Sequence, residues 1–480
     1  MPHRHLDSRK RWLALAVLCL GVLMIVLDTT IVNVALPSIR SDLGFSETSL
    51  VWVVNAYMLT FGGFLLLGGR LGDLYGQRRL FMLGIAGFTL ASLGCGLAQS
   101  QAVLIVARAV QGLAGAVVSA ISLSLIMNLF TEPAERAKAM GVYGFVCAGG
   151  GSIGVLLGGL LTGALSWHWI FLVNLPIGIA VAALCLVLLP ATPPAAHGAK
   201  LDVAGAATIT IALMLAVYAI VNGNEAGWLS AQTLGLLVAA VVLLGAFFAI
   251  ESRVAEPLVP LSLFRLRNLS TANIVGVLWA AGMFAWFFIS ALYLQLVLGY
   301  TPMQVGLAFL PSNLIMAAFS LGLSAKLVMR FGLKKPLAGG LLVAALGLAL
   351  FARAPVDGNF WIDVLPSMLL LGVGAGVAFN PLLLAAMSEV QPQDSGLASG
   401  IVNTAFMMGG ALGLAVLASL AAARTGALVS AGADPKDALT AGYHLAFLIG
   451  ALFAAAGGLL GATRFTKVAA PAEGQAAHAA

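Results

Sequence analysis

The chain has 480 residues and a net charge of +6, and only 9% of its residues are charged while 61% are hydrophobic. Together with a mean hydropathy of +1.04, this composition excludes a soluble globular protein and indicates an integral membrane protein. The basic residues are scattered through short loops, so the positive charge does not indicate a nucleic-acid-binding surface.

Fourteen apolar stretches are long enough to cross a hydrocarbon core of about 30 Å as α-helices. We therefore predict an all-α polytopic membrane protein with fourteen transmembrane helices. The ninth stretch is overlong and must tilt, kink or begin outside the bilayer. In chain order, the predicted spans are residues 13–36, 49–69, 80–98, 102–128, 139–163, 169–189, 203–221, 232–250, 268–298, 303–325, 336–352, 364–386, 396–423 and 443–463.

The first span could be mistaken for a signal peptide, because Arg9, Lys10 and Arg11 precede an apolar run. The run continues past Asp28 to Pro37, and no clear A-x-A cleavage site ends it, which favours a retained span. With the N-terminus inside, nineteen of the 24 basic residues are cytoplasmic and four are external, in agreement with the positive-inside rule. We therefore expect a multi-pass protein of the cytoplasmic membrane with both termini in the cytoplasm.

Asp28 and Arg108 are the only charged residues that this assignment leaves inside the membrane. A charge there costs at least about 2.5–3.5 kcal/mol on insertion scales, so it usually marks an ion or substrate path. At about 1.5 Å per residue, the two lie about 12 Å and about 9 Å below the outer ends of spans one and four. This arrangement suggests proton-coupled transport. Alternatively, the two form a static ion pair, or Thr29 and Thr30 satisfy the carboxylate while the guanidinium tethers backbone carbonyl groups.

An internal repeat organises the helices. The segment GGRLGDLYGQRR (68–79) after span two resembles GLSAKLVMRFGLKK (322–335) after span ten, since each begins with Gly and has a second Gly before a basic pair. The offset of eight spans leaves two six-helix bundles with two helices inserted between them, and paired bundles are a recurring transporter plan. The predicted parts are a cytoplasmic N-terminus (1–12), an N-terminal bundle (13–189), a linker with two extra helices (190–267), a C-terminal bundle (268–463) and a cytoplasmic tail (464–480).

No feature of the sequence indicates an enzyme. Cys19, Cys95, Cys147 and Cys185 lie within spans and have neither a CxxC partner nor a His at ligand spacing, so we predict neither a zinc site nor a redox pair. The sequence contains no nucleophile elbow, phosphate loop or metal-ligand cluster. We therefore expect no catalytic residues, no metal and no cofactor.

Four stretches resemble a fourteen-helix drug:proton antiporter family of the major facilitator superfamily, and the resemblance covers residues 13 to 463. It implies the two-bundle fold, transport by alternating access, and a central cavity lined by spans one and four. The stretches that carry it are LDTTIVNVALPSI (27–39), GGRLGDLYGQRR (68–79), ARAVQGLAGA (107–116) and YLQLVLGYTPMQVGLAFLP (293–311).

The 68–79 segment resembles the loop motif of the superfamily, and we predict that it is a cytoplasmic latch that breaks when the bundles rock. Its glycines permit a tight turn and close helix approach. Asp73 can meet the positive end of a neighbouring helix or pair with an Arg. An ordinary solvated turn is the alternative. The predicted latch residues are Gly69, Arg70, Gly72, Asp73, Gly76 and Arg78.

The fifth span is rich in glycine, and glycines at four-residue spacing let helices approach closely. The resemblance implies the antiporter signature of this superfamily, but that motif usually has Gly-Pro where this chain has Gly154-Val155. The missing Pro removes a built-in kink. A pure packing face is the alternative. The residues assigned to this glycine helix are Gly150, Gly154, Gly158 and Gly159.

Span thirteen replaces the Arg-Gln pair that is usual in the family with Phe406-Met407. The change turns a polar cavity wall into an apolar and adaptable one. Trp and Tyr side chains can instead anchor the ends of spans at the membrane interface. The predicted substrate-binding residues are Trp286, Tyr293, Gln295, Asn380, Asn403 and Phe406.

Together these features predict a proton-coupled antiporter that exports amphipathic or hydrophobic organic compounds by alternating access, as in multidrug efflux. Its expected partners are protons, a small organic substrate and membrane lipids, with no nucleic acid, and we expect a monomer. A proton-coupled importer or facilitator of a small organic solute is one alternative. A non-transporting membrane scaffold is another, although a scaffold does not need a carboxylate in hydrocarbon.

Overall fold

The described part of the chain is entirely helical in its regular structure. The structure is a computed structural model, and it describes residues 8–189, 202–254, 257–391 and 395–466. A chain in lipid satisfies its backbone hydrogen bonds within each helix, which explains why long apolar runs fold in this way. The predicted all-α class is confirmed.

The first bundle consists of α1 (Ser8–Leu43), α2 (Val51–Tyr75), α3 (Gln77–Gly96), α4 (Gln101–Leu129), α5 (Pro133–Ala164), the single turn α6 (Trp169–Leu172) and α7 (Asn174–Leu188). Two helices follow, α8 (Val203–Ala226) and α9 (Ala231–Glu251). The second bundle consists of α10 (Arg267–Leu292), α11 (Pro302–Ala318), α12 (Ser324–Phe331), α13 (Lys334–Phe351), α14 (Leu365–Met387), α15 (Ser395–Ser430) and α16 (Pro435–Arg464).

Twelve helices in the described residues are long and apolar enough to cross a membrane. The fifth and tenth predicted spans correspond to α5 and to α11 with the π-helical turn that follows it. The apolar stretches described there, Ile153–Ala164 and Pro302–Ala318, are shorter than a full span. The chain is therefore a multi-pass helical protein, and the count of fourteen spans stays a prediction.

Several predicted boundaries were wrong because helices continue beyond the apolar runs that predict them. The segment 68–79 was expected to be a loop, but α2 continues to Tyr75 and only Gly76 separates it from α3. Residues 424–442, which separate the last two predicted spans, are mostly helix, since α15 ends at Ser430 and α16 begins at Pro435. Intrahelical hydrogen bonds keep polar residues in a helix until a residue with a special backbone conformation interrupts it.

Gly76 and Gly432 are such residues, with φ of 91° and 88°. A positive φ is strained for residues with a Cβ atom but not for glycine. Each glycine therefore permits a sharp turn where two long helices meet. The connection at Gly76 is tight enough that α3 begins at the next residue.

The most extensive contacts between the two bundles are made by two pairs of helices. Within the first bundle, α1 packs against α4, α5 and α7, and within the second, α10 packs against α14, α15 and α16. Between the bundles, α2 packs against α15 and α5 packs against α11. The inserted helix α8 contacts both α2 and α15, so it lies beside one of the two seams.

The inserted helices have different environments. Asn224 on α8 donates a 2.7 Å hydrogen bond to the carbonyl of Ser419 on α15, while Thr210 on the same helix packs against Gly63 of α2. By contrast, α9 leaves Val238 61% exposed and Val241 69% exposed. An apolar face of this kind suits contact with lipid. α8 therefore contacts both bundles, whereas α9 packs mainly against α8.

Candidate functional site

Asp28 and Arg108 are in direct contact in the interior of the first bundle. Nη1 of Arg108 on α4 donates a hydrogen bond to Oδ2 of Asp28 on α1. The exposed fraction is 0% for Asp28 and 1% for Arg108. The resemblance implied that their helices line a central cavity, but in this conformation the carboxylate has no exposed surface.

Two amide side chains complete the environment of Asp28. Its Oδ1 accepts hydrogen bonds from Nε2 of Gln111, at 2.7 Å, and from Nδ2 of Asn174, at 3.2 Å. Nε2 of Gln111 also lies 2.8 Å from Oγ of Ser92. Helices α1, α3, α4 and α7 thus each contribute one or more polar groups to a single buried network.

Neither Gln111 nor Asn174 was predicted from the sequence as a site residue, although weak signals for both exist. Gln111 is three residues after Arg108, a spacing that places two side chains on the same face of a helix. Asn174 is the first residue of α7, directly after the break at Val173 that ends α6. Neither signal identifies Asp28 as the partner, because that contact joins residues 83 and 146 positions apart.

Arg108 is bound by more than Asp28. Its Nε donates to the carbonyl oxygen of Val53 at 2.9 Å, and its Nη1 lies 2.6 Å from Oε1 of Gln111. Its guanidinium carbon is 4.5 Å from the ring centroid of Tyr57, a distance at which a cation is attracted to an aromatic face. The ring of Phe171 lies 5.6 Å from the same carbon, so the guanidinium has four further sources of stabilisation besides the carboxylate.

The pair is neutral as a unit, and its burial makes that neutrality important. Removing one partner of a buried ion pair leaves an uncompensated charge, at a cost of about 3–5 kcal/mol. A proton that binds Asp28 neutralises the carboxylate and so leaves the positive charge of Arg108 without its partner. The site is therefore suited to couple proton binding to a change in structure.

The predicted latch residues lie at the junction of α2 and α3. Gly72 faces α4, where a Cβ atom would lie 3.0 Å from Ile121, and Gly69 faces the same helix more loosely, 3.9 Å from Ala120. Gly76 is the single turn residue. The side chains of Arg70 and Asp73 lie outside the described part of the structure, so the contacts predicted for them remain untested.

Arg78, the last predicted latch residue, is bonded to the end of α7. Its Nη2 donates a 2.7 Å hydrogen bond to the carbonyl oxygen of Leu186. The last carbonyl groups of a helix have no intrahelical partner and carry partial negative charge, so a guanidinium is a favourable partner for them. This contact ties α3 to α7 within the first bundle.

Three glycines of α5 let it approach α1 around Asp28. A Cβ atom on Gly150 would lie 2.9 Å from Val26, and one on Gly154 would lie 2.0 Å from Oγ1 of Thr30. One on Gly158 would lie 2.7 Å from the carbonyl oxygen of Ile31. Such distances leave no room for a larger residue. The glycines thus serve close packing against the helix that carries the carboxylate.

Gly159 faces a different partner, the second bundle. A Cβ atom there would lie 2.6 Å from the carbonyl oxygen of Pro302, at the start of α11. Gly306 on α11 makes the reciprocal contact, since a Cβ atom added there would lie 3.0 Å from the carbonyl oxygen of Val155. Two glycines therefore permit backbone contact between the bundles at this seam.

Three of the predicted substrate-binding residues lie on α10 and its π-helical extension. Trp286 is buried, and its Nε1 has no hydrogen-bond partner. Tyr293 donates from its hydroxyl to the carbonyl oxygen of Pro355 at 2.7 Å. Gln295 donates from Nε2 to the carbonyl oxygen of Val34 at 2.8 Å, which joins the second bundle to α1.

The two predicted asparagines bond to the protein itself. Nδ2 of Asn380 on α14 donates to the carbonyl oxygen of Ser320 at 2.6 Å. Nδ2 of Asn403 on α15 donates to the carbonyl oxygen of Ser399 in its own helix at 3.0 Å. Among the described hydrogen bonds and ring contacts, none joins two of the six predicted substrate-binding residues. Their grouping into one substrate site stays a prediction.

The Phe406-Met407 pair lies where α15 meets both bundles. The ring of Phe406 makes edge contacts with Phe284 and Phe379, at centroid distances of 6.0 Å and 6.1 Å. Met407 packs towards α2, where a Cβ atom on Gly62 would lie 3.1 Å from it. An apolar, flexible side chain therefore occupies the seam between the bundles at this position.

The structure buries two charged residues that the sequence analysis placed in water. Among the described residues, the charged side chains classed as buried are Asp28, Arg108, Asp202 and Glu251. Asp202 precedes α8 and Glu251 ends α9. Charged side chains at the ends of spans normally reach the aqueous interface, so the sequence predicted these two in water. That prediction was wrong because both are buried in the folded structure.

Comparison with known proteins identifies the family. The sequence matches the family profile of the Major Facilitator Superfamily over residues 18–414. It is 41% identical to the puromycin resistance protein of Streptomyces alboniger over 92% of this chain and 89% of that protein. It is 39% identical to the cephamycin export protein of Amycolatopsis lactamdurans over 86% and 85% of the two chains. The chain therefore belongs to the Major Facilitator Superfamily, and the predicted family is confirmed.

Other comparisons agree with this assignment. A multidrug resistance protein of Mycobacterium tuberculosis is 37% identical over 87% of this chain and 77% of that protein. The fold resembles an auto-inhibited peptide transporter with a TM-score of 0.68 at 15% identity, over 97% and 99% of the chains. It also resembles a bacterial homologue of the lysosomal transporter Spinster, with a TM-score of 0.65 at 17% identity, over 96% and 98%. At such identities the structures support the fold alone.

Proposed function

We propose that this protein is a proton-coupled antiporter that exports amphipathic or hydrophobic organic compounds across the cytoplasmic membrane. The names of its relatives support export, since they describe puromycin resistance, cephamycin export and multidrug resistance. The observation that carries the proton coupling is the buried contact between Asp28 and Arg108. A sealed, neutral pair of this kind changes its energy sharply when one member loses its charge.

Protonation of Asp28 and a change of conformation are linked by Arg108. In the sealed bundle, a neutral Asp28 leaves the guanidinium with two carbonyl groups, of Val53 and Gln111, and with the rings of Tyr57 and Phe171. None of these partners carries a negative charge, so the positive charge of Arg108 stays buried without compensation. Proton binding therefore favours a conformation in which Arg108 gains water or other acceptors.

The transport cycle follows from this linkage. A proton from outside neutralises Asp28, which favours the conformation that has released its substrate to the outside. Release of the proton to the cytoplasm restores the ion pair and resets the carrier. The downhill movement of protons thus drives export.

The contacts between the bundles are suited to the rocking motion that alternating access requires. The seam of α5 and α11 is made by the backbones at Gly159 and Pro302, and a single hydrogen bond from Gln295 joins the second bundle to Val34 of α1. On the opposite side, we place the latch of the 68–79 segment, with Asp73 and Arg70 as its charged members.

The helix arrangement of the proposed carrier is the one predicted from the sequence. We propose fourteen spans, arranged as two six-helix bundles with α8 and α9 inserted, and both termini in the cytoplasm. The substrate route runs between the bundles past the apolar wall at Phe406 and Met407. The buried, unpartnered Nε1 of Trp286 is available to an acceptor atom of a substrate.

The test begins with a search for the substrate. Growth of an efflux-deficient host is measured with and without the protein across a panel of antibiotics and cationic dyes, and a protected compound is then added to purified protein in detergent. We expect proton release on addition of the compound. Asp28→Asn is expected to abolish both proton release and proton-driven efflux, because its side chain cannot titrate.

The matched control is Asp437→Asn, an exposed carboxylate in the first turn of α16. It should leave both measurements at the wild-type level. An unchanged proton count in Asp28→Asn would mean that Asp28 is structural and that another group carries the proton. Accumulation of a compound inside cells would favour the importer, and the absence of transport for every compound would favour a scaffold.

A further inference from the structure

The inserted helices carry two buried carboxyl groups that the proposed transport cycle does not use. Asp202 is 6% exposed and Glu251 is 3% exposed. Each has one oxygen with a backbone partner. Oδ1 of Asp202 accepts a 2.7 Å hydrogen bond from the amide of Gly205, and Oε2 of Glu251 accepts a 2.9 Å hydrogen bond from the amide of Val259. The first of these caps α8, and the second binds the linker that leads to α10.

The other two oxygens point to the same place. Oδ2 of Asp202 and Oε1 of Glu251 are buried and have no hydrogen-bond partner. They lie 2.5 Å and 2.7 Å from the single point that a Cβ atom on Gly205 would occupy. Gly205 therefore leaves space in which the two carboxyl groups approach each other. This convergence is the observation on which the inference rests.

Two ionised carboxylates cannot share such a space at low cost. Their like charges repel, and burial disfavours the charged form of each. A single proton removes both problems, because the protonated oxygen becomes a donor and the other oxygen accepts its hydrogen bond. Hydrogen bonds between an acid and a carboxylate are among the strong ones in proteins.

No described positive charge offers a different solution. No described Lys, Arg or His forms an ion pair with either carboxyl group. The apolar side chains of Leu67 on α2, Ala206 on α8 and Leu258 in the linker form a cluster beside the pair. The side chains of Arg70 and Asp73, farther along α2, lie outside the described part.

We infer that Asp202 and Glu251 form a second proton-binding site, which holds one proton shared between Oδ2 and Oε1. A metal ion fits less well, because hard cations take about six or more oxygen ligands and only two free oxygens converge here. The described residues also contain no group of three His, Cys, Asp or Glu side chains that could hold a metal.

The shared proton joins three parts of the molecule. It links the start of α8 to the end of α9, and through the bond from Val259 it fixes the linker 257–266. The cluster of Leu67, Ala206 and Leu258 connects these parts to α2, the helix that carries the proposed latch. Loss of the proton introduces repulsion between the two helix ends and loosens this contact on the side predicted to be cytoplasmic.

The experiment is an infrared titration of the purified protein in detergent, between about pH 5 and about pH 9, a range that starts near the ordinary pKa of glutamate. The background is the double variant Asp28→Asn with Glu47→Gln, so that neither the first site nor the partly buried Glu47 contributes a band. We expect a protonated carboxyl C=O band that persists well above the ordinary titration range and disappears at alkaline pH. Glu251→Gln and Asp202→Asn should each abolish this band.

Both substitutions are expected to fold, because an amide supplies the donor that the shared proton supplies in the wild type. The control is Glu225→Gln, an exposed carboxylate near the other end of α8, which should leave the band unchanged. A band that survives both substitutions would overturn the assignment. So would its absence at neutral pH in the background variant alone, even if neither further variant folds.

A metal site is distinguished by adding Mg²⁺ or Na⁺ during the titration. Loss of the protonated band at constant pH on addition of either ion would show that the pair binds a cation and would overturn the proton assignment. The measurement needs neither substrate nor transport. Its failure is therefore distinct from failure of the proposed antiport, which Asp28 tests.

Discussion

At the scale of single residues, the site depends on how one carboxylate is surrounded. Asp28 accepts hydrogen bonds from Arg108, Gln111 and Asn174, and all of these side chains are buried. Both oxygens of the carboxylate are therefore hydrogen-bonded. Loss of any of these donors is costly, since an unsatisfied buried polar group carries a penalty of about 1–3 kcal/mol.

The energetics of the pair can be tested without transport. We expect Arg108→Leu to destabilise the folded protein by about 3–5 kcal/mol, because it leaves Asp28 charged and unpaired. The double variant Asp28→Leu with Arg108→Leu should be more stable than Arg108→Leu alone, because no charge remains buried. Thermal unfolding in detergent measures both. Additive losses in the double variant would mean that the two residues do not act as a pair.

Glu47 provides a pH-dependent prediction outside the spans, in the connection between α1 and α2. Burial raises the pKa of Glu47, and Arg40, whose Nη1 is 3.3 Å from its Oε1, offsets only part of this effect. The folded protein therefore binds this proton more tightly than the unfolded chain does. The resulting stabilisation is present below the ordinary glutamate pKa and is lost as pH rises through the raised value.

Glu47→Gln cannot titrate, so its melting temperature relative to wild type should rise as pH rises through this window. The measurement is thermal unfolding of both proteins at several pH values. Asp357→Asn, an exposed carboxylate in a connection of the second bundle, should show no such trend. A constant difference between Glu47→Gln and wild type would contradict the assigned effect of burial.

At the scale of helices, α5 combines two kinds of contact. Gly150, Gly154 and Gly158 pack against α1, while Gly159 packs against the backbone of α11. The two interpretations of this helix from the sequence, a packing face and an antiport element, thus apply to different glycines of the same helix. The face towards α1 lies within one bundle, and Gly159 lies between bundles, where contacts must break during transport.

Gly159→Ala tests the contact between the bundles. Its Cβ would lie 2.6 Å from the carbonyl oxygen of Pro302, so α5 and α11 must separate, and the conformation closed at this seam becomes less stable. We expect transport to fall several-fold at matched expression. Gly163→Ala in the same helix meets nothing within 4 Å and should behave as wild type. Equal activity of the two variants would exclude a role for this contact.

At the scale of the whole molecule, the inserted helices are more than a linker. α8 lies beside the seam of α2 and α15 and bonds to Ser419 through Asn224. Its start carries Asp202, which faces Glu251 at the end of α9. An element in contact with both bundles can sense or bias their relative position.

The topology is open to a direct test. A reporter fused after residue 480 should read as cytoplasmic, and one inserted at residues 431–434, the connection between α15 and α16, should read as external. The helices that flank this connection leave a shorter insertion site than the sequence suggested. A cytoplasmic signal from the insertion would show that the number of spans before it is wrong by one.

The sequence by itself determined the helical class, the family and the presence of two charges, Asp28 and Arg108, within apolar spans. These features are local, because hydropathy reports each span separately and a motif is read from neighbouring residues. A charge within an apolar run is visible without any knowledge of its partner. The glycines of α5 are visible for the same reason, although not the helices they face.

Only the tertiary structure decided which residues surround these positions. Gln111 and Asn174 reach Asp28 across 83 and 146 residues of chain, and no local pattern specifies such a contact. Asp202 and Glu251 appeared to be ordinary charges at span ends until α8 and α9 brought them together over Gly205. Burial and partners depend on how whole helices pack, and that packing is the sum of many contacts between distant parts of the chain.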